Sequence, residues 1–161
     1  MPDLSLPSAT RTPRVQNILA EHLQTLGAVP IRAWNVYREI HSVQQRRIYD
    51  KTTVANILHD LMVEVATKIC IQEPGLDYRE QYYGMHVVIV EQEVVIRFKK
   101  FAQNFRVSNV KTEVQEKIHR GDVSLFGDRV RGLVTVGYVP NEARTNYKGI
   151  HAVKHGRGGD P

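Results

Sequence analysis

The chain has 161 residues, of which 42% are apolar and 24% charged, and it carries a net charge of +5. That length fits one domain with one real core, and the composition excludes collagen-like, coiled-coil and wholly disordered chains. No apolar run approaches the ~20 residues of a membrane-spanning helix, and Met1-Pro2-Asp3-Leu4-Ser5 lacks the basic and apolar start of a secretory signal, so a cytoplasmic location is expected.

The charge is uneven along the chain. Residues 52–92 hold two Lys/Arg against six Asp/Glu, whereas residues 93–131 hold nine against five. A basic half of this kind attracts phosphates.

Residues 1–12, with Pro2, Pro7 and several hydroxyl side chains, read as a flexible leader. The first helix is expected to start at Thr12, a capping residue, with Pro13 in the first turn. Val15, Ile18, Leu19, His22, Leu23 and Leu26 recur at helical spacing. Gly27 is the expected C-terminal stop and Pro30 a second break. A second helix is expected over 31–49, with Val36, Ile40 and Val43 on one side and Arg38, Gln44, Gln45, Arg46 and Arg47 on the other. A third, capped by Thr52 or Thr53, carries a wide apolar face of Val54, Ile57, Leu58, Leu61, Met62, Val65 and Ile69, which must pack against something large. If the sheet were too small for it, a homodimer would supply the missing area.

The period then changes. Met85–Val90 and Val94–Phe98 are β-branched runs joined by Glu91-Gln92-Glu93, which predicts a hairpin without the usual Asn-Gly signal. The dense aromatics before it, Tyr78, Tyr82 and Tyr83, read as a connector that could serve as a partner contact. Ser108–His119 is a helical window, Leu133–Val139 a strand and Tyr147–Val153 a last strand, with residues 155–161 a glycine-rich flexible tail. The order α, α, α, β, β, α, β, β predicts a single α+β domain over 13–154, N-terminal helices packed against a small antiparallel sheet with one further helix.

Several chemistries are excluded or weakened. One cysteine, Cys70, rules out an internal disulfide and a Cys-based zinc site, and its apolar setting marks it as a small buried hydrophobe. His-Glu-x-x-His, the glycine-rich phosphate loops and the Gly-x-Ser-x-Gly elbow are absent. A metal-dependent nuclease would want a carboxylate on one strand and an acid-x-Lys on the next. Glu91 and Glu93 do not stand at that spacing from Lys99 and Lys100 and read as solvated turn residues. No metal and no cofactor are therefore expected. The second and third helices do not support a standard helix-turn-helix, because the third shows Asp60 and Glu64 on its polar side.

The most informative segment is 93–106. In a strand, Val94, Ile96 and Phe98 share one face, and Val95, Arg97, Lys99 and Phe101 the other. The second face is expected to be exposed. Together with Lys100, Arg106, Lys111, Lys117 and Arg120 it would interleave cations with a ring, as suits a nucleic-acid backbone with bases stacked beside it. The leading expectation is a non-enzymatic nucleic-acid-binding or regulatory module. The alternatives are a protein–protein adaptor or inhibitor (antitoxin- or immunity-like) with an acidic partner on the same surface, and a metal-independent ribonuclease using Arg97, Lys99, Arg106 and Tyr138.

Overall fold

A computed structural model describes residues 13–81, 85–107, 113–120 and 122–155. Three helices come first, α1 (Pro13–Ile40), α2 (Val43–Ile48) and α3 (Lys51–Gln72). Strands β1 (Leu76–Gln81), β2 (Met85–Val90) and β3 (Val94–Lys100) follow, then α4 (Glu113–His119), β4 (Gly132–Pro140) and β5 (Tyr147–His155). The fold is α+β, with the N-terminal helices packed on a five-stranded sheet in the order β1-β2-β3-β4-β5. No helix among the described residues is long and apolar enough to cross a membrane.

Helix α1 runs straight through both expected breaks. Pro30 removes one helical hydrogen bond and crowds the turn before it, a cost of about 3 kcal/mol. Leu26, Val29, Ala33, Trp34 and Tyr37, each at most 1% exposed, flank it. Their burial, at about 1.5–3 kcal/mol for each large side chain, outweighs that local penalty. The expected second helix is accordingly divided: its first part belongs to α1, and a new helix starts where Ser42 and Gln45 form a reciprocal capping box. The cap of α3 is Asp50, whose carboxylate accepts the Thr53 N–H at 2.7 Å, rather than Thr52 or Thr53. The apolar face of α3 buries Val54, Leu58, Leu61, Met62, Ala66 and Ile69 against α1 and the sheet of the same chain, so it needs no second copy to cover it.

The connector of the sequence reading contains a strand. β1 pairs antiparallel with β2 from Leu76↔Val90 to Gln81↔Met85. The β2–β3 turn manages without glycine by placing Glu91 (φ 50°) and Gln92 (φ 62°) in the left-handed region. The sheet is mixed: β3 and β4 are parallel from Val94↔Gly132 to Lys100↔Tyr138, and β5 returns antiparallel to β4. A parallel pair needs a crossover, and the span carrying α4 provides it.

Both faces of the sheet are covered. One carries Val88, Val90, Val94, Ile96, Phe98, Val134, Val136 and Tyr138 under α1 and α3. On the other, Val87, Ile89, Val95 and Leu133 pack with Ile118 of α4 and Phe126 of a following 3-10 turn. This second core corrects the expectation that the face of Val95, Arg97, Lys99 and Phe101 is exposed.

One feature of register positions the candidate site. β2 pairs with β3 only from Val90↔Val94 to Val88↔Ile96. Beyond that point β2 stays with β1, and β3 stays with β4 as far as Lys100. The sheet therefore opens between the first residues of β2 and the last residues of β3.

Candidate anion-binding cleft

The gap is lined by His59 of α3, Met85 and His86 of β2, Arg97, Phe98 and Lys99 of β3, and Gln115 of α4, and encloses about 140 Å³. Helices from opposite faces of the sheet contribute to one cleft, as expected of an opening that passes between two strands.

Arg97 anchors it and is only 2% exposed. Its Nε donates to Thr135 Oγ1 at 2.8 Å, Nη1 to Gln115 Oε1 at 3.1 Å and Nη2 to His155 Nε2 at 3.4 Å. None of the three partners is a carboxylate, and Thr135 Oγ1 is also 2.7 Å from His155 Nε2. Among the described residues no carboxylate lies within ion-pair distance of Arg97 or Lys99. A guanidinium has five donors, so these bonds leave one N–H on each terminal nitrogen. Burial lowers Arg97 to about 10, which still leaves it charged at neutral pH. Lys99 is pushed down by burial and then by Arg97 beside it.

Two imidazoles complete the cleft, their ring centroids 6.2 Å apart. Burial first and Lys99 second hold His59 below the usual histidine value. His86 Nδ1 shares a 2.5 Å hydrogen bond with the Tyr78 hydroxyl, and the two rings stack. That contact fixes the ring and leaves Nε2 as the nitrogen not engaged by Tyr78.

The expected site residues are divided by the fold. Lys99 and Arg97 come together in the cleft, but Arg97 is a buried cation, not a surface one. Phe101 is 0% exposed and packs near Phe105, so it is no outward stacking ring. Lys100 is half-buried and Arg106 exposed at the same end of β3. Lys117 pairs with Glu113 at 3.3 Å and Arg120 with Glu116 at 3.8 Å, both along α4. Tyr78 is a half-buried partner of His86. Lys111, Tyr82 and Tyr83 lie outside the described residues. Tyr138 faces the opposite core, edge-on to Trp34, which removes it from any site containing Arg97. Glu93 is no solvated turn residue: its carboxylate bonds Arg14, and Arg131 at 3.0 Å, while Glu91 bonds His22 at 3.0 Å. Among the described residues no group of three His, Cys, Asp or Glu could hold a metal ion. The Cys70 thiol, pushed up to about 11 by burial, is an inert apolar neighbour.

The sequence reading missed His59, His86, Gln115, Thr135 and His155. One signal pointed to His86: it shares the inward register of Val88 and Val90, where a polar side chain needs a reason. Comparison with family models, with curated proteins and with solved structures found no match for this chain.

Proposed function

We propose that this protein binds nucleic acid by taking a backbone phosphate of an unpaired strand into the cleft between β2 and β3. The observation that carries this reading is Arg97, a buried guanidinium with no carboxylate partner among the described residues and a second cation, Lys99, beside it. An uncompensated buried ion costs several kcal/mol, and two like charges side by side add to that cost. A phosphate oxygen would accept the remaining Arg97 donors and neutralise both groups, a geometry that guanidinium matches well. The volume of about 140 Å³ suits a phosphoryl group with part of a sugar, not a double helix. Lys100 and Arg106 stand at the same end of β3 and would follow the strand as it leaves.

Fluorescence anisotropy with labelled single-stranded RNA and DNA, duplex DNA and polyglutamate tests the reading. Single strands should bind best, with an affinity that falls linearly with salt on logarithmic axes as counterions are released. Lys99→Gln should weaken binding at least several-fold without changing the fold. Binding of polyglutamate in preference to every oligonucleotide would replace this reading with the acidic-partner one.

A further inference from the structure

Resting on that binding reading, we propose that the cleft also cuts RNA without a metal, with His59 as general base and His86 as general acid. The geometry is that of an acid–base pair placed beside two phosphate-neutralising cations. Each proton transfer needs a heavy-atom distance of about 2.6–3.2 Å, and the two rings, 6.2 Å apart between centroids, both line the cleft that holds Arg97 and Lys99.

The reaction needs nothing beyond RNA. His59, neutral, takes the proton of the 2′-OH. The 2′ oxygen forms a bond to phosphorus, and the bond from phosphorus to the 5′ oxygen of the next nucleotide breaks. That leaving oxygen takes a proton from the Nε2 of protonated His86. The products are a 2′,3′-cyclic phosphate and a 5′-hydroxyl, and proton exchange with water resets the two rings. Arg97 and Lys99 meet the negative charge that grows on the non-bridging oxygens, the largest kind of catalytic contribution in such sites.

The surroundings suit the two roles. Burial first and Lys99 second favour the neutral form of His59, Asp60 on its own helix opposes them, and His86 adds a smaller push toward the neutral form. Among the described residues, Arg97 of β3, Tyr78 and Glu80 of β1 and His155 of β5 are the other titratable groups around the two rings, Glu80 standing directly opposite His86 across the β1–β2 pair, with the neutral Gln115 contributed by α4. When His86 is protonated, its Nδ1–H donates to the Tyr78 oxygen, so Tyr78 is a positioning residue that aims Nε2 into the cleft.

The test uses the full chain in EDTA with an end-labelled oligonucleotide that is 2′-O-methylated except at one ribonucleotide. Cleavage at that ribonucleotide alone, with a 2′,3′-cyclic phosphate end and a bell-shaped rate–pH profile, is expected. His59→Ala and His86→Ala, prepared identically, should each cut at least about 100-fold more slowly while binding RNA within a few-fold of the parent. Tyr78→Phe should alter the alkaline limb of the profile and leave binding unchanged. RNA that binds but stays intact from pH 5 to 8 overturns the catalytic proposal and leaves the binding one standing. Cutting at the parental rate by either histidine variant also overturns it. A parent that binds no oligonucleotide ends both. Should either alanine variant unfold, His59→Gln or His86→Gln with a parental melt takes its place, and cutting at the parental rate by it overturns the proposal.

Discussion

Replacing Arg97 by Met sets two large effects against each other. The substitution removes three hydrogen bonds, the strongest of them to Thr135 at 2.8 Å. Bonds to charged groups are worth about 1.5–3 kcal/mol each, but Thr135 keeps its 2.7 Å contact with His155, so the acceptor loss is partial. Against this stands the relief of a buried, uncompensated cation, several kcal/mol after relaxation. The two nearly cancel, so the ligand-free variant should melt within a few degrees of the parent. Ligand then separates them. An oligonucleotide present at about 100 times its dissociation constant stabilises the native state by about 2.7 kcal/mol, and at 2–4 °C per kcal/mol for a chain of this size the parent should gain roughly 5–10 °C. The variant should gain almost nothing. Differential scanning fluorimetry with and without single-stranded RNA reads both quantities. A ligand-free loss of more than about 3 kcal/mol would mark Arg97 as a net structural stabiliser and refute the reasoning.

Three further outcomes follow from the structure. Gly137→Ala should lower stability by about 3 kcal/mol or more, because the added Cβ would run into the Lys99 carbonyl, a backbone atom that cannot swing away; an unchanged thermal melt would contradict this. His59 and His151 are both held below their ordinary value, chiefly by burial. The unfolded chain therefore binds protons first, and stability should fall as pH drops through about 6.5. His59→Gln should flatten that slope between pH 7 and 5, and an unaltered slope would count against the burial of this ring. Glu93 has the opposite sign: Arg14 holds its carboxylate below the usual range. Its stabilisation is present above the ordinary carboxylate value and is lost as pH falls, so Glu93→Gln should melt lower at pH 7 and converge on the parent in acid.

Much of the fold was legible because local and global signals agreed. The Met85–Val90 and Val94–Lys100 hairpin emerges from β-branched runs whose partners are each other. Helix α1 was misread because Gly27 and Pro30 are strong local stop signals, and only the burial of the residues around them overrides those signals. β1 was missed because an edge strand buries little: Leu76 is its only fully buried residue among those with a described side chain. For the site, the alternation that places Arg97 and Lys99 on one face was correct, and their exposure was not. The uninterrupted apolar runs Val87–Val90 and Val94–Ile96 carried the missing information, since a strand apolar on both sides is covered on both sides. His59 was beyond reach. Its meeting with His86 depends on where β2 parts from β3, and no pattern in the chain specifies the point at which a pairing stops.

The central claim is that the cations of the β2–β3 gap, Arg97 and Lys99, hold a phosphate beside the two rings. It is tested most directly by NMR titration of the full chain, with labelled arginine and histidine side chains, against a short single-stranded RNA at low salt. The account predicts the largest shifts at the Arg97 guanidinium and at the His59 and His86 rings, with smaller ones at Arg106. Shifts confined to exposed arginines such as Arg106 and Arg120, with Arg97 and both rings unmoved at saturation, would contradict it.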